Sequence, residues 1–437
     1  MSRRITAFIW FAVVALLAAA CGGGGGGETT GATGGTGGGA SGSISVMAVW
    51  TGAEQAAFKA VIDGFTSKNP DATVNYTSAG DQLPTQLSTA VQGGNPPDVA
   101  ALPQPGLMAD FAKKNALQPL DFAKADIESN FGQSVVDLGT VDGTFYGFLF
   151  KAANKSLVWY NVKSYQDAGV TPADDWDTWI KNGDTLAASG VPPYSIGGAD
   201  GWTLTDLFEN IYLRQAGPDK YDQLATHQIP WTDQSVKDAL KTMAEVIGDS
   251  SKIAGGTEGA LQTDFPTSVT QVFADPPKAA QVMEGDFVAG VITDSTKAEP
   301  KTGFDVFPFP SVNGSPSVVV GGGDTIVMFK DSPVAEAFVK YLASPEAAEI
   351  WAAKGGFATL NKNVDASVYP DDITRETANL ADVETFRFDL SDLQPAEFGG
   401  TVGQGLFKEF QDFLQNPTNI DGVTKAMEAS AKKAYGS

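Results

Sequence analysis

The chain has 437 residues, enough for two or three folding units and for a cleft between them. Its 29 Lys and Arg stand against 52 Asp and Glu, and phosphate backbones would repel the net charge of −23, so nucleic acid is excluded as a main partner. One Cys (Cys21) precludes an intramolecular disulfide framework and one His (His227) precludes H-E-x-x-H zinc chemistry. No Ser sits in a G-x-S-x-G elbow, and neither a Walker A loop nor a G-x-G-x-x-G after a strand is present; neither a cofactor nor a metal is expected.

Arg3 and Arg4 precede an apolar run from Ile5 to Ala20, the length of a signal-peptide core and too short to span a bilayer. The run ends Leu17-Ala18-Ala19-Ala20-Cys21, which resembles a bacterial lipobox, with Ala18 where Leu is usual. Residues 1–20 are therefore read as a lipoprotein signal and Cys21 as the lipidated residue. Residues 22–42 hold 13 Gly in 21 positions and cannot pack a core; 21–42 reads as a disordered tether with a span of roughly 25 Å. Loss of 1–20 removes two Arg and leaves −25, which favours a tethered body over one docked on an anionic leaflet.

The body alternates strands and helices. Ile44–Trp50 is a strand; Phe58, Val61, Ile62 and Phe65 predict a helix stopped at Asn69-Pro70. Thr73–Thr77 is a strand, Leu83, Leu87 and Val91 mark a helix closed by Gly93-Gly94, and Asp98–Leu102 is the next strand. This alternation predicts a mainly parallel sheet with both faces covered, whose ligands sit at the strands' carboxyl ends. Trp50, Thr51, Gly52 and Glu54 lie at such an end, as does Gln104 in the Pro103–Pro105 loop. The stretch 155–300 is more helical. Later, Ser315–Val320 and Thr325–Phe329 read as two strands joined by Gly321–Asp324, and helices follow at Pro333 and Pro345.

Several motifs then occur in order: Trp50-Thr51-Gly52, Gly93-Gly94-Asn95-Pro96-Pro97-Asp98-Val99, Val141–Phe148, Ser156–Asn161, Trp176-Asp177-Thr178-Trp179 and Ser344–Ala348. The ordered set resembles an extracellular solute-binding protein of a carbohydrate ABC importer, the family of the maltose-binding protein. Gly201–Asp206, Leu213–Pro218, Ile229-Pro230 and Arg387–Asp392 are similar to its alpha-glucoside-binding members. The resemblance implies an α/β, two-lobe periplasmic-binding-protein-like fold, each lobe a mainly parallel sheet covered by helices. It implies a first lobe of 43–152 and 321–357 and a second of 153–320 and 358–437, with the sugar clamped between them.

A pyranose offers an apolar face to aromatic rings and a hydroxyl rim to carboxylates and amides. Trp176 and Trp179 share one helix face and, like Trp159 in its strand, read as core. Trp202 follows a Gly-rich loop and precedes a helix bearing Asp206; it is expected to stack on the sugar. Glu54 has a simpler explanation too, as an acid at a helix N-terminus. The resemblance adds Asp286 and Phe287, the latter where relatives often carry Trp, and Asn154 as a polar contact, with Lys151 as an alternative partner for an acid. Gly322-Gly323-Asp324 reads either as a close approach of backbone to sugar or as a plain crossover turn. Asp389, with Asp392, closes the far side of the cleft or faces water. His227 is expected on the surface.

The implied function is binding without catalysis: a monomeric, lipid-anchored receptor at the cell surface or in the periplasm that delivers a sugar, such as an alpha-glucoside, to permease subunits. The alternatives are a lipid-anchored glycoside hydrolase, which needs two carboxylates about 5–10 Å apart across the scissile bond, and the same fold holding a non-sugar solute.

Overall fold

The computed structural model describes residues 39–378, 380 and 385–436; the signal segment, Cys21 and the tether up to residue 38 lie outside them. Four residues assigned to the tether, Gly39 to Gly42, belong to the body. Ala40 donates its N–H to Asn69 Oδ1 at 2.8 Å, and the first strand opens at Gly42.

Strand Gly42–Ala48 alternates, with Ile44, Val46 and Ala48 turned inward. It pairs in parallel with Ala72–Ser78 on one side and Val99–Leu102 on the other. Helix Gly52–Lys68 returns over the sheet because Phe58, Val61, Ile62 and Phe65 fall on one face, and it ends at Asn69 before Pro70. Strand Gly147–Asn154 is buried along its whole length and pairs antiparallel with Val319–Met328, which also runs antiparallel to Val99–Leu102. Among the described residues the first sheet therefore has six strands of mixed direction.

The segment Ser315–Phe329 forms one strand, Val319–Met328, where two were expected. Its glycines admit the neighbouring strand: a Cβ on Gly323 would lie 2.1 Å from Lys151 O. The Gly321–Asp324 stretch is thus paired backbone and not a turn, with one irregularity between Asp324 and Thr325.

Both long strands lead out of the first lobe. Leu157–Asn161 continues from Gly147–Asn154 into a second, four-stranded sheet with Phe304–Pro308, Gln281–Met283 and Tyr194–Ser195. Its central helix, Trp202–Ala216, is buried on all sides from Thr203 to Arg214. Such a helix tolerates polar groups only when they are partnered, and Arg214 donates to the carbonyls of Asn210, Phe309 and Val318. One core gathers Phe58, Phe338 and Trp351 on the first sheet; another gathers Phe208, Tyr212, Trp231 and Phe410 around the central helix.

Two expectations need correction. The sequence reading puts all of 358–437 in the second lobe, yet Phe386–Phe388 edges the first sheet, because Val319–Gly321 offers it a parallel edge, and Ala358 and Ala378 lie in the first-lobe core. His227 is half-buried, not a free surface residue: its ring stacks on Tyr435 and its Nε2 lies 3.2 Å from Glu428 Oε2. Among the described residues no helix is long and apolar enough to cross a membrane.

Candidate functional site

Between the lobes lies a cleft of about 360 Å³, within the range of small-ligand sites. Its first-lobe wall forms where strand Gly42–Ala48 hands over to helix Gly52–Lys68, and brings Trp50, Thr51 and Glu54 to the surface of the cleft, with Asp81 and Gln104 beside them. The crossing strands supply the floor: Lys151, Ala153, Gly323 and Asp324, with Lys155 just beyond. The opposite wall carries Asp200, Trp202, Asp264, Phe265 and Phe287, closed by Asp392, Gly400 and Phe407.

The aromatic side is a cluster of three rings. Trp202 and Phe265 have centroids 5.2 Å apart, Trp202 and Phe287 5.9 Å, and Phe265 and Phe287 5.2 Å. Trp202 is the first residue of its helix and only half-buried, so part of its ring faces the cleft. Such a surface suits the C–H face of a ring substrate.

The polar side is organised by two lysines four residues apart. Lys151 pairs with Glu54 at 2.8 Å and lies 3.8 Å from Asp324, with its ammonium 5.2 Å from the Phe287 ring centroid. Burial pushes this lysine down, but Glu54, Asp324 and Asp286 outweigh it and hold it above the usual lysine range. Asp324 accepts from Trp50 Nε1 at 2.8 Å, and burial, opposed by Lys151, raises its carboxyl to about 6. Lys155 stands 5.6 Å from the Trp202 ring centroid, 3.1 Å from Asp206 and 3.8 Å from Asp392, and bonds Asp389.

Behind the wall, carboxyl oxygens of Asp206, Glu209 and Asp389 lie within 4.8 Å of one another. Their donors are already protein groups. Glu209 accepts from the N–H groups of Leu390 and Ser391 and from the Tyr221 hydroxyl. Asp389 accepts from Ser391 Oγ and the Asp392 N–H. The Lys155 ammonium occupies the cation's place, so the group reads as an ion cluster built around an amine and not as a metal centre. Burial pushes Glu209 well up, whereas Asp389, despite its burial, is drawn down to about 2 by Lys155.

Of the residues singled out in the sequence, Trp50, Thr51, Glu54, Gln104, Trp202, Phe287, Gly323 and Asp324 line the cleft together. Six others stand behind it or turn away. Gly52, at φ 51°, starts the first helix with nothing near its α-carbon face. Gly322 lies under the Lys155 stem, where a Cβ would come within 2.7 Å. Asn154 is consumed by structure: its N–H donates to Asp286 Oδ1, and its side-chain oxygen accepts from the Ser156 N–H. That bond also places Asp286 behind Phe287. Asp206 and Asp389 serve Lys155 and do not reach the cleft surface.

Asp81, Asp200, Asp264, Phe265 and Phe407 were not anticipated. Asp264-Phe265-Pro266 reads in sequence as a helix start, and it is one: Asp264 caps Phe265–Phe273 by accepting from the Thr267 N–H at 2.8 Å. A capping signature therefore conceals cleft residues. Asp200 accepts from the Phe265 N–H at 2.5 Å, which fixes that loop to the same helix start.

Residues 50–349 match the bacterial extracellular solute-binding protein family. The chain belongs to this family. It is 35% identical over 374 residues to the osmoprotective compounds-binding protein GgtB of Synechocystis, covering 83% of this chain and 86% of that one. It is 33% identical over 405 residues to the alpha-glucosides-binding periplasmic protein AglE of Rhizobium meliloti, covering 89% and 87%. Among solved structures, the bacterial solute receptor AcbH superposes with a TM-score of 0.79 at 21% identity, covering 90% of this chain and 99% of that chain, which attests the two-lobe fold.

Proposed function

We propose that this member of the family is the sugar-binding subunit of an ABC importer and that its ligand is an alpha-glucoside. The observation that carries the reading is the pairing, across one interlobe cleft, of the Trp202–Phe265–Phe287 surface with the Asp324–Lys151–Glu54 network. The ring faces would pack on the aromatics, and hydroxyls would bridge the carboxyl groups and the Lys151 ammonium. Similarity to the alpha-glucosides-binding protein AglE favours this class of solute. On this reading the site binds and releases its solute unchanged, in keeping with a family of solute-binding proteins. Thr51, Glu54, Gln104, Trp202, Phe287, Gly323 and Asp324 form the proposed contact set, with Trp50 holding Asp324 from behind. The protein would act as a monomer, anchored outside the membrane through Cys21, and hand its sugar to permease subunits.

A thermal-shift screen against mono- and disaccharides tests this. A ligand at 100 times its Kd should stabilise the protein by about 2.7 kcal/mol. An alpha-glucoside that shifts the transition and stays chemically intact supports the reading; liberation of glucose in proportion to protein, or no shift with any sugar, contradicts it. Cys21→Ala should release the protein from membranes or leave it unprocessed, and unchanged membrane association would remove the anchor from the proposal.

A further inference from the structure

Six carboxyl groups line the cleft against two ammonium groups, and neither ammonium is free to meet an anion. Glu54 pairs with Lys151 at 2.8 Å and Asp324 stands 3.8 Å from it; Lys155 is shared by Asp392 and, behind the wall, by Asp206 and Asp389. That leaves Asp81, Asp200 and Asp264, which enter no ion pair among the described residues.

Two of these three stand on the aromatic wall. Asp264 immediately precedes Phe265, and Asp200 Oδ2 accepts from the Phe265 N–H at 2.5 Å; the Phe265 ring centroid lies 5.2 Å from that of Trp202. On the first-lobe side Gln104, 5% exposed, also presents an acceptor. Its Nε2 donates to Gly400 O at 3.1 Å, which fixes the two ends of the amide and leaves Oε1 buried in the cleft lining with no protein donor. A buried acceptor in that state is costly until a ligand donates to it.

We propose that the cleft takes a glucoside bearing a primary amine, its ammonium set against Asp200 and Asp264 beside the Trp202 and Phe265 rings, ahead of a neutral glucoside and to the exclusion of an anionic one. The inference rests on the reading of this cleft as a glucoside site and adds the charge class of what enters it.

A hydroxyl can donate once to such a wall and must then find donors for its own lone pairs, whereas an ammonium brings three donors and no acceptor. Its charge is attracted by the carboxylates and by the faces of the rings alike. A carboxylate or phosphate on the solute would bring a like charge to the unpaired acids, inside a protein whose net charge of −23 already repels it. Burial, then the charge of Asp81, raises the Asp200 carboxyl to about 7, and an ammonium beside it would draw it down again.

Titration calorimetry of the full-length protein at pH 7 tests this with methyl alpha-glucoside and trehalose and with their 2-amino, 6-amino and 6-carboxylate derivatives. At least one amine should bind roughly tenfold tighter than its neutral parent, and the carboxylates should not bind. The ratio of amine to parent affinity should shrink in Asp264→Asn, whose side-chain oxygen can still cap the helix, and between about 0.01 M and 1 M salt. Asp200→Asn is the second variant, should Asp264→Asn fail to fold. If the neutral parents bind and no amine binds tighter, the charge preference is overturned while the proposed function stands. An amine that binds where no neutral glucoside does supports the preference and contradicts the proposed function. A preference indifferent to salt and to both variants, or a carboxylate that binds as well as its parent, would overturn the inference.

Discussion

Trp50 and Trp202 reach the same cleft from opposite walls, and their surroundings give them different work. Trp50 is 1% exposed, wedged against Phe58 at 4.6 Å and Trp351 at 4.7 Å, and spends its indole N–H on Asp324. Trp202 is half-buried, backed by Phe265 and Phe287, and keeps ring surface toward the cleft. The connection between strand Gly42–Ala48 and the following helix turns the Trp50 side chain into the core, while Trp202, the first residue of its helix, stays at the rim. Trp50 therefore reaches the cleft only through the carboxylate it holds, whereas Trp202 presents its own ring face to it.

The largest expected effect separates these roles. Trp50→Ala should lower folding stability by about 3–5 kcal/mol, as for other buried large aromatics, and leave Asp324 without its indole donor. Urea denaturation measures this, and a loss below about 1 kcal/mol would mean that Trp50 is no scaffold. Lys155→Met should come close behind, because it leaves Asp206, Asp389 and Asp392 buried without their cation, a change that costs about 3–5 kcal/mol in comparable pairs. The sign with pH follows from Asp389, whose carboxyl is drawn down to about 2. Its contribution is present above the ordinary carboxylate range and is lost as pH falls through about 2, so the gap between wild type and Lys155→Met should narrow in acid. A gap that widens in acid would show that Lys155 does not hold Asp389 ionised.

Trp202→Ala should invert the Trp50 result: about 2–4 kcal/mol of sugar affinity lost, as for central aromatic contacts, with about 1 kcal/mol or less of stability. If the variant unfolds yet binds normally whenever folded, Trp202 is core and the aromatic wall is misassigned. The smallest effect belongs to Gly52→Ala. Its φ of 51° disfavours a side chain by about 1 kcal/mol, and nothing crowds it, so stability should fall slightly with affinity unchanged.

The contrast also explains what could be read in the sequence. Strands and helices of the first lobe were legible because Ile44, Val46, Phe58, Val61 and Phe65 obey one periodicity each and all face one core. Trp202 was legible as a site candidate because Gly197–Gly201 leave it little helix to pack in. Trp50 was less so, since its position just past a strand's carboxyl end says where the backbone goes and not which way the ring turns. Asp206 and Asp389 looked like cleft acids because their partner, Lys155, is distant in sequence from both. The Gly321–Asp324 stretch looked like a turn because glycine marks turns and close strand approach alike, and only the 2.1 Å clearance to Lys151 O separates the two. Asp81 and Asp200 lie far apart in sequence, and each reads as an ordinary turn acid, although both line the cleft.

The most direct test is recovery of the bound solute. Purified protein saturated with the alpha-glucoside that shifts its melting should be separated from free sugar by gel filtration, heated, and the released solute identified by mass spectrometry. The account predicts one intact glucoside per protein chain, with the yield lost in Trp202→Ala and kept in Gly52→Ala. Recovery of free glucose, or of no sugar from folded wild-type protein, would contradict it.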